Sequence, residues 1–343
     1  MYPNNKSEFP AVQTQQSVQR FLSNRIHFKT VRRPESLPPT TLNSENESLH
    51  LKTEQFRFSG SEESGKFSIS DFPTKIDDLY ESKEQYETLL SSLTVELNAL
   101  QEKMYAHNRY GLLTIFQAMD AAGKDSTIQH VFSGVNPLGM RVHSFKRPTD
   151  QELDHDFLWR NLINLPERGT IGIFNRSYYE EVLVVKVHPE ILTQTQRLPE
   201  ERTTDLDKVW KQRYKDIRNF ETYLNRNGFP VLKFFLNVSK KEQGDRLIDR
   251  IEDPSKNWKF DDQDVVERGF WKQYMQAYED AVNATATNKA PWYVIPADDK
   301  KNMRLIVAKV LVDELKNLKF EYPKVNKRQQ KNLQELLKVI KGE

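Results

Sequence analysis

Residues 112–126 read LLTIFQAMDAAGKDS, an apolar run followed by a loop of small residues that ends in Gly-Lys. Apolar and β-branched residues at 112–116 are typical of a strand buried on both faces of a parallel sheet. The next apolar residues, between 128 and 135, recur at helical spacing. The sequence therefore predicts a buried strand, a tight loop and a helix in direct succession.

The loop of this unit is similar to a Walker-type phosphate loop, although it departs from the strict pattern G-x-x-x-x-G-K-[ST]. Ala118 replaces the first glycine, and Asp125 replaces the serine or threonine after Lys124. Backbone N–H groups and the helix dipole at such a helix start attract phosphate, and the lysine adds a mobile charge. An ordinary helix start with an aspartate cap is the alternative. The predicted phosphate contacts are Ala121, Ala122, Gly123, Asp125 and Ser126.

Two carboxylates, Asp120 and Asp125, flank Lys124. Acidic side chains beside an anion are unfavourable unless a divalent cation lies between them. Because Mg²⁺ binds carboxylate and phosphate oxygens together, the sequence predicts a magnesium ion held by Asp120, with Asp125 as a second candidate ligand.

Short apolar runs and helical segments alternate through the rest of the central region. Further strands are predicted near 141–145, 170–174, 231–238 and 292–297. Helices are predicted over 153–165, 206–225, 241–251, 266–283 and 303–318. An apolar stripe at 86–104 predicts an earlier helix, which packs on the core or, alternatively, on a coiled-coil partner. This alternation predicts an α/β fold with a parallel sheet covered on both faces.

The two ends of the chain differ from this central region. Residues 1–70 are rich in Ser, Asn, Glu, Pro and Thr, and we predict an extended or mobile arm there. Residues 71–320 form the predicted domain. Residues 321–343 contain a basic amphipathic segment, which we interpret as a solvated surface helix.

Composition excludes several classes of protein. The 343 residues include no cysteine, which rules out disulfides, cysteine-based zinc sites and thiol catalysis. The 51 basic and 49 acidic residues leave a formal charge of +2, so no overall basic field for nucleic acid is expected. The amino terminus lacks the apolar core of a signal peptide, and no apolar run suits a membrane span. We expect a cytoplasmic protein without nucleic-acid or membrane partners.

Polar residues after the strand at 170–174 form a second candidate region. Asn175 and Arg176 come directly after this strand, at the sheet edge where open α/β sheets bind ligands. Arg176 can bind phosphate through two N–H groups, and Asn175 can orient a nucleophilic oxygen or a metal-bound water. Other basic residues near predicted strand or helix ends are further phosphate-binding candidates: Lys146, Arg147, Arg160 and Lys186.

Two arginines, Arg246 and Arg250, lie four residues apart and share one helical face. In nucleotide kinases a helix of this kind closes over the phosphates and excludes water. A salt-bridged surface helix would show the same spacing.

Together these residues resemble the polyphosphate kinase 2 family. The stretches that carry the resemblance are FQAMDAAGKD at 116–125, SGVNP at 133–137 with SFK at 144–146, LDHDFLWR at 153–160 and FNRSYYE at 174–180. Segments at 253–260 and 290–300 continue it, so that it covers residues from about 55 to 320.

The resemblance implies a phosphotransferase that moves the terminal phosphate between inorganic polyphosphate and nucleoside mono- or diphosphates, reversibly and with Mg²⁺. It implies a three-layer α/β/α sandwich, a thymidylate-kinase-like P-loop kinase, with a helical lid at about 240–270. In the family the loop carboxylate and lysine are catalytic, which carries over to Asp120 and Lys124. Asn175 and Arg176 match the second loop, and Asp154 in the third stretch joins the binding candidates. Family assemblies imply a homodimer or homotetramer.

Asn175 departs from the many family members that have aspartate at this position. With the Ser-Gly-Val-Asn-Pro segment, it resembles the subgroup that accepts both AMP and ADP. Adenine nucleotides are therefore the expected acceptors, with guanine nucleotides as a further candidate. Two other functions stay open, an ATP-dependent nucleoside monophosphate kinase and a polyanion-binding or nucleic-acid-binding module that uses the basic carboxyl-terminal helix.

Overall fold

The computed structural model of the protein describes residues 49, 51–61 and 65–342. Within them a sheet of six strands lies at the centre. The strands are β1 (Arg57–Phe58), β2 (Leu112–Gln117), β3 (Met140–Ser144), β4 (Ile171–Asn175), β5 (Val231–Asn237) and β6 (Trp292–Pro296). The helices are α1 (Lys83–His107), α2 (Lys124–Phe132), α3 (Asp150–Leu153), α4 (Trp159–Leu162), α5 (Val184–Val187), α6 (Ile191–Gln194), α7 (Glu200–Thr203), α8 (Leu206–Arg226), α9 (Lys240–Glu252), α10 (Asp262–Gly269), α11 (Trp271–Thr285), α12 (Lys300–Asn317) and α13 (Lys327–Lys341).

The strand order places β2 in the middle of the sheet. The order is β1-β6-β5-β2-β4-β3, and every pair is parallel except β1 with β6. The predicted α/β fold is confirmed, and the five predicted strands agree with β2 to β6 within one residue at each end. Because all residues of β2 and β5 are buried, their apolar runs were the clearest signal.

Helices cover both faces of the sheet. One layer contains α1, α2 and α12, which pack against one another, and the other contains α8 and α11. The stripe predicted on α1 packs on the core and not on a coiled-coil partner, because Tyr86, Leu93, Leu97 and Met104 are all buried. No helix in the described part of the chain has the length and apolarity needed to cross a membrane.

Two predicted helices are wrong in their extent. The segment 153–165 forms two short helices, α3 and α4, because a Thr149–Glu152 capping box starts α3 early. The Asp156 carboxylate then accepts the Leu158 N–H and interrupts helical pairing. The segment 266–283 divides into α10 and α11, with the break just after Gly269, a poor helix former.

The described part of the predicted amino-terminal arm is folded onto the domain. β1 pairs with β6, and Phe56, Phe58 and Phe67 are buried in the core. The prediction for residues 1–48 lies outside the described residues. At the other end α13 forms where a basic helix was expected, and all its residues are exposed.

Candidate active site

The loop after β2 has the backbone conformation of a phosphate loop. Ala121 and Gly123 have left-handed φ values of 59° and 107°, and α2 begins at Lys124 directly afterwards. Successive N–H groups in such a turn can converge on an anion, and the α2 dipole adds positive potential. The loop lies at the centre of the sheet's carboxyl edge because β2 is a central strand.

Lys124 is buried in this loop without a bonded counter-ion. Its ammonium donates to the carbonyls of Ala118 at 2.7 Å and Met119 at 3.2 Å. Among the described residues no carboxylate lies within salt-bridge distance of it. Burial lowers the pKa of Lys124, and nearby charges such as Asp120 oppose this shift only in part. The lysine is therefore a buried cation that favours an added anion.

The predicted residues of the two strand-end loops lie together. β2 and β4 pair in parallel with Phe116 opposite Asn175, so both loops leave the same edge. Arg176, at a left-handed φ of 64°, donates to the Asp120 carboxylate at 2.8 Å. Asn175 donates to the Asp125 carboxylate at 2.6 Å. The nearby Glu180 carboxylate raises the pKa of Arg176 above its usual range, so this guanidinium stays charged.

Asp120 and Asp125 fit a divalent cation that is held jointly with substrate. Each has one carboxylate oxygen in the hydrogen bond just described, and within the described residues the other oxygen accepts none. No group of three or more His, Asp or Glu side chains suited to a metal ion occurs in the described part of the chain. Mg²⁺ commonly takes one or two carboxylates and completes its shell with phosphate and water. The donor set matches that type of site.

The two predicted lid arginines have different environments. Arg246 is buried behind the loop, where its guanidinium donates to carbonyls of Ala121 and Ala122 and has no N–H left for phosphate. Arg250 donates to the Asp264 carboxylate at 3.0 Å. Helical spacing predicted a shared face for the two arginines but does not show which way it points; here the Arg246 guanidinium points at backbone carbonyls, and the predicted phosphate contacts of both arginines stay a prediction.

Asp264 on α10 was not recognised from the sequence. Burial and the nearby Asp120 carboxylate raise its pKa to about 6, against the partial compensation from Arg250. The influence of Asp120 on this pKa indicates that Asp264, and with it α10, lies close to the Asp120 carboxylate. Other contributing residues that sequence reasoning missed are Glu180, Gln243 and Arg304, which donates to the Ser126 hydroxyl at 2.8 Å. Glu180 closes the FNRSYYE stretch, and Gln243 and Asp264 lie inside the predicted lid, but neither motif nor lid indicated a role for these side chains; Arg304 belongs to no local motif.

The remaining predicted residues lie around this centre or away from it. Arg160 donates to the Lys146 carbonyl at 2.7 Å, whereas the side chains of Lys146 and Arg147 are exposed. Asp154 pairs with Arg197 on the surface. Lys186 donates to the Asp280 carboxylate at 2.6 Å and to the Tyr214 hydroxyl at 3.1 Å, and neither partner belongs to either loop.

A cavity of about 320 Å³ lies on the β3–β4 side of the loops. Arg160 and Glu181 line it, and Glu181 follows Arg176 by five residues, which connects the cavity to the second loop. Arg213 closes one wall, with its guanidinium on the Glu181 carboxylate at 3.2 Å and over the Phe157 ring at 4.9 Å. The cavity therefore combines an aromatic ring with buried charged groups.

Comparisons with known proteins agree with one another. The family model described as polyphosphate kinase 2 matches residues 80–323. An ADP-polyphosphate phosphotransferase of Rhodopseudomonas palustris is 49% identical over 84% of this chain and all of its own length. An AMP/ADP-polyphosphate phosphotransferase of Meiothermus ruber is 43% identical over 76% of this chain and 92% of its own. The crystal structure of polyphosphate kinase 2 from Arthrobacter aurescens superimposes with a TM-score of 0.71 at 36% identity, covering 82% of this chain and 95% of that one.

Proposed function

The chain belongs to the polyphosphate kinase 2 family and is a polyphosphate-dependent nucleotide kinase, and we propose that its phosphoryl transfer takes place between the loops after β2 and β4. The observation that carries this proposal is Lys124, a buried cation near the Asp120–Arg176 pair that has no bonded carboxylate among the residues that the structure describes. Inorganic polyphosphate and an adenine nucleotide, ADP or AMP, supply the missing anions.

Phosphoryl transfer requires mainly positioning and charge neutralisation, because side chains take little part in the covalent chemistry. The N–H groups of Ala121, Gly123 and Lys124 orient the phosphate oxygens, whereas the Ala122 N–H donates to the Met119 carbonyl at 3.3 Å. The Lys124 ammonium and the Arg176 guanidinium stabilise charge on the transferred group. The attacking oxygen of the nucleotide phosphate is already ionised, so no general base is needed. Asn175 fixes Asp125 through its amide and keeps this carboxylate oriented.

A divalent cation, which we propose is Mg²⁺, would be held by Asp120 and Asp125 together with phosphate oxygens, and would neutralise part of their charge. Arg176 and Asn175 each bind one oxygen of these carboxylates and so hold the other oxygen available.

The acceptor nucleoside is proposed to occupy the cavity bounded by Phe157, Arg160 and Arg213. Its volume lies at the lower end of the range of small-molecule sites. An aromatic ring and hydrogen-bonding groups suit a purine base, so adenine is the proposed base and guanine a second candidate. The segment 240–270 is proposed as the lid, Arg250 as its phosphate-binding arginine, and a homodimer or homotetramer in the cytoplasm as the working form.

The test is an assay of purified protein with Mg²⁺, ADP and polyphosphate, in which ATP should form, repeated with AMP to detect ADP. An enzyme that accepts phosphate only from ATP would instead be an ATP-dependent nucleoside monophosphate kinase. Lys124→Ala separates the catalytic function from simple polyanion binding. We expect turnover to fall by at least about 100-fold, whereas a binding module would keep its affinity for polyphosphate.

A further inference from the structure

Side chains donate hydrogen bonds to the backbone carbonyls of the phosphate loop. The Lys124 ammonium takes the carbonyls of Ala118 and Met119, and the Gln243 side-chain amide donates to the Asp120 carbonyl at 3.2 Å. Gln243 lies on α9 and is fully buried. Because the C=O and N–H of a peptide point in opposite directions, hydrogen bonds that fix these oxygens also fix the direction of the N–H groups that follow them.

Arg246, three residues further along α9, holds the next two carbonyls of the loop. A guanidinium has five N–H donors, and each of them has a protein acceptor here. These acceptors are the carbonyls of Ala121 (3.3 Å), Ala122 (2.7 Å), Ala297 (2.7 Å) and Asp298 (3.1 Å) and the carboxylate of Glu242 (2.8 Å). All carbonyls from 118 to 122 therefore accept a hydrogen bond from a side chain.

Helix α10 contacts this arrangement through Arg268. Arg268 donates to the Gln243 amide oxygen at 2.7 Å and to the Lys240 carbonyl at 2.6 Å. It lies across α9 at Gly244, where an added Cβ would stand 2.9 Å from the Arg268 guanidinium. Gln243 thus accepts from α10 with its oxygen and donates to the phosphate loop with its nitrogen.

We propose that Arg268, Gln243 and the Asp120 carbonyl form a relay that sets the conformation of the phosphate loop according to the position of α10. Arg268 fixes the orientation of the Gln243 amide, and that amide fixes the Asp120–Ala121 peptide. This peptide joins the carboxylate that binds Arg176 to the left-handed Ala121. Arg268 and Gln243 are positioning residues, since Gln243 binds the loop backbone and Arg268 acts on the loop through Gln243. The inference rests on the proposed role of the loop as the phosphate site.

Gly244→Ala is the first test, because it should displace Arg268 without harming the fold. Alanine is a better helix former than glycine, and the atom it meets is the end of a flexible side chain. The melting temperature is expected to stay equal or rise by about 1 to 3 °C. The kcat for ATP formation from ADP and polyphosphate is expected to fall by roughly 10-fold, the scale of a small misplacement of reacting groups.

Arg268→Met and Gln243→Glu test the two hydrogen bonds separately. Both should lower kcat by roughly 10- to 100-fold with little change in the KM for ADP, and Arg268→Lys should recover part of the loss because lysine can still donate to Gln243. Lys241→Gln is the matched control, since Lys241 is an exposed cation of α9 that pairs with Asp245. The kcat of Lys241→Gln should stay within about twofold of the wild-type kcat.

Two results would overturn the relay. In one, Gly244→Ala and Arg268→Met keep the wild-type kcat while Lys124→Met is inactive; the function then stands without the relay. In the other, the kcat losses follow the loss of melting temperature in every variant, which indicates a structural role alone. If wild-type protein makes no ATP from ADP and polyphosphate, the proposed function fails and the relay fails with it.

Discussion

Two lysines are buried against the same sheet, but only one of them has a carboxylate partner in the part of the chain that the structure describes. Lys233, in the middle of β5, donates to the Glu221 carboxylate at 2.6 Å, and both side chains are almost completely buried. Lys124, at the start of α2, donates only to two loop carbonyls. Burial lowers the pKa of both lysines, because desolvation disfavours the charged form.

The groups around Lys233 and Lys124 indicate a different role for each lysine. Around Lys233 the fold supplies every partner: the Glu221 carboxylate also accepts from Tyr178 and Tyr179, and Lys233 donates further to the Thr285 carbonyl. Around Lys124 the fold supplies backbone dipoles and leaves the counter-ion out. A buried cation whose partner is absent from the fold indicates a binding site for an anion, whereas a fully paired one stabilises the structure.

Lys233→Met should therefore act on stability. It leaves the Glu221 carboxylate buried without its counter-ion, and we expect the free energy of unfolding to fall by about 3 to 5 kcal/mol in urea titrations. The double variant Lys233→Met/Glu221→Gln should recover much of this loss, because glutamine still accepts from the two tyrosines. A loss below about 1 kcal/mol in the single variant would contradict the structural role of this pair.

Lys124→Met should act on catalysis and not on stability. Removing a charge that stabilises the transition state lowers kcat by roughly 100- to 1,000-fold, about 3 to 4 kcal/mol. Stability should be unchanged or slightly higher, since a buried charge without a bonded carboxylate is removed. Lys338→Met on the exposed helix α13 makes the same change in net charge and should keep full activity. Equal losses in the two variants would indicate an effect of overall charge.

The same contrast explains what the sequence predicted well. β2 to β6 were predicted within one residue because their signal is a local apolar run. The approach of Asp120 to Arg176 follows from one rule about strand ends in parallel sheets. The two-residue strand β1 could not be predicted, because its pairing with β6 depends on contacts more than 200 positions away.

Partners of charged side chains were much harder to predict than strands. The four-residue spacing of Arg246 and Arg250 indicated a shared face, but only tertiary packing shows that Arg246 points at carbonyls behind the loop. Lys186 follows a strand-end loop in sequence, yet it pairs with Asp280. Lys124 was recognised because it belongs to a loop motif, and Lys233 was not considered because a lysine inside an apolar run gives no signal of its partner.

Asp264 is a third charge, intermediate between the two lysines, and it gives the smallest expected effect. It has a counter-ion in Arg250 at 3.0 Å, but burial and the Asp120 carboxylate raise its pKa from 3.8 to about 6. A folded-state pKa above the unfolded one contributes stability that is fully present below about pH 4 and is lost as pH rises through about 6. Without substrate or divalent cation, wild-type protein should lose stability relative to Asp264→Asn across this window.

The expected difference is about 1 kcal/mol between pH 4 and pH 7, reduced from the full shift because Asp264 is partly solvated. Urea unfolding of both proteins at intervals across this window measures it. If the free energies of unfolding of the two proteins change in parallel with pH, Arg250 neutralises Asp264 as completely as Glu221 neutralises Lys233. Asp264 would then have a structural role. If instead the free energy of unfolding of the wild type falls relative to that of Asp264→Asn as pH rises through about 6, Asp264 resembles Lys124. It would then be a charge that the fold neutralises only in part and that responds to what binds at the loop.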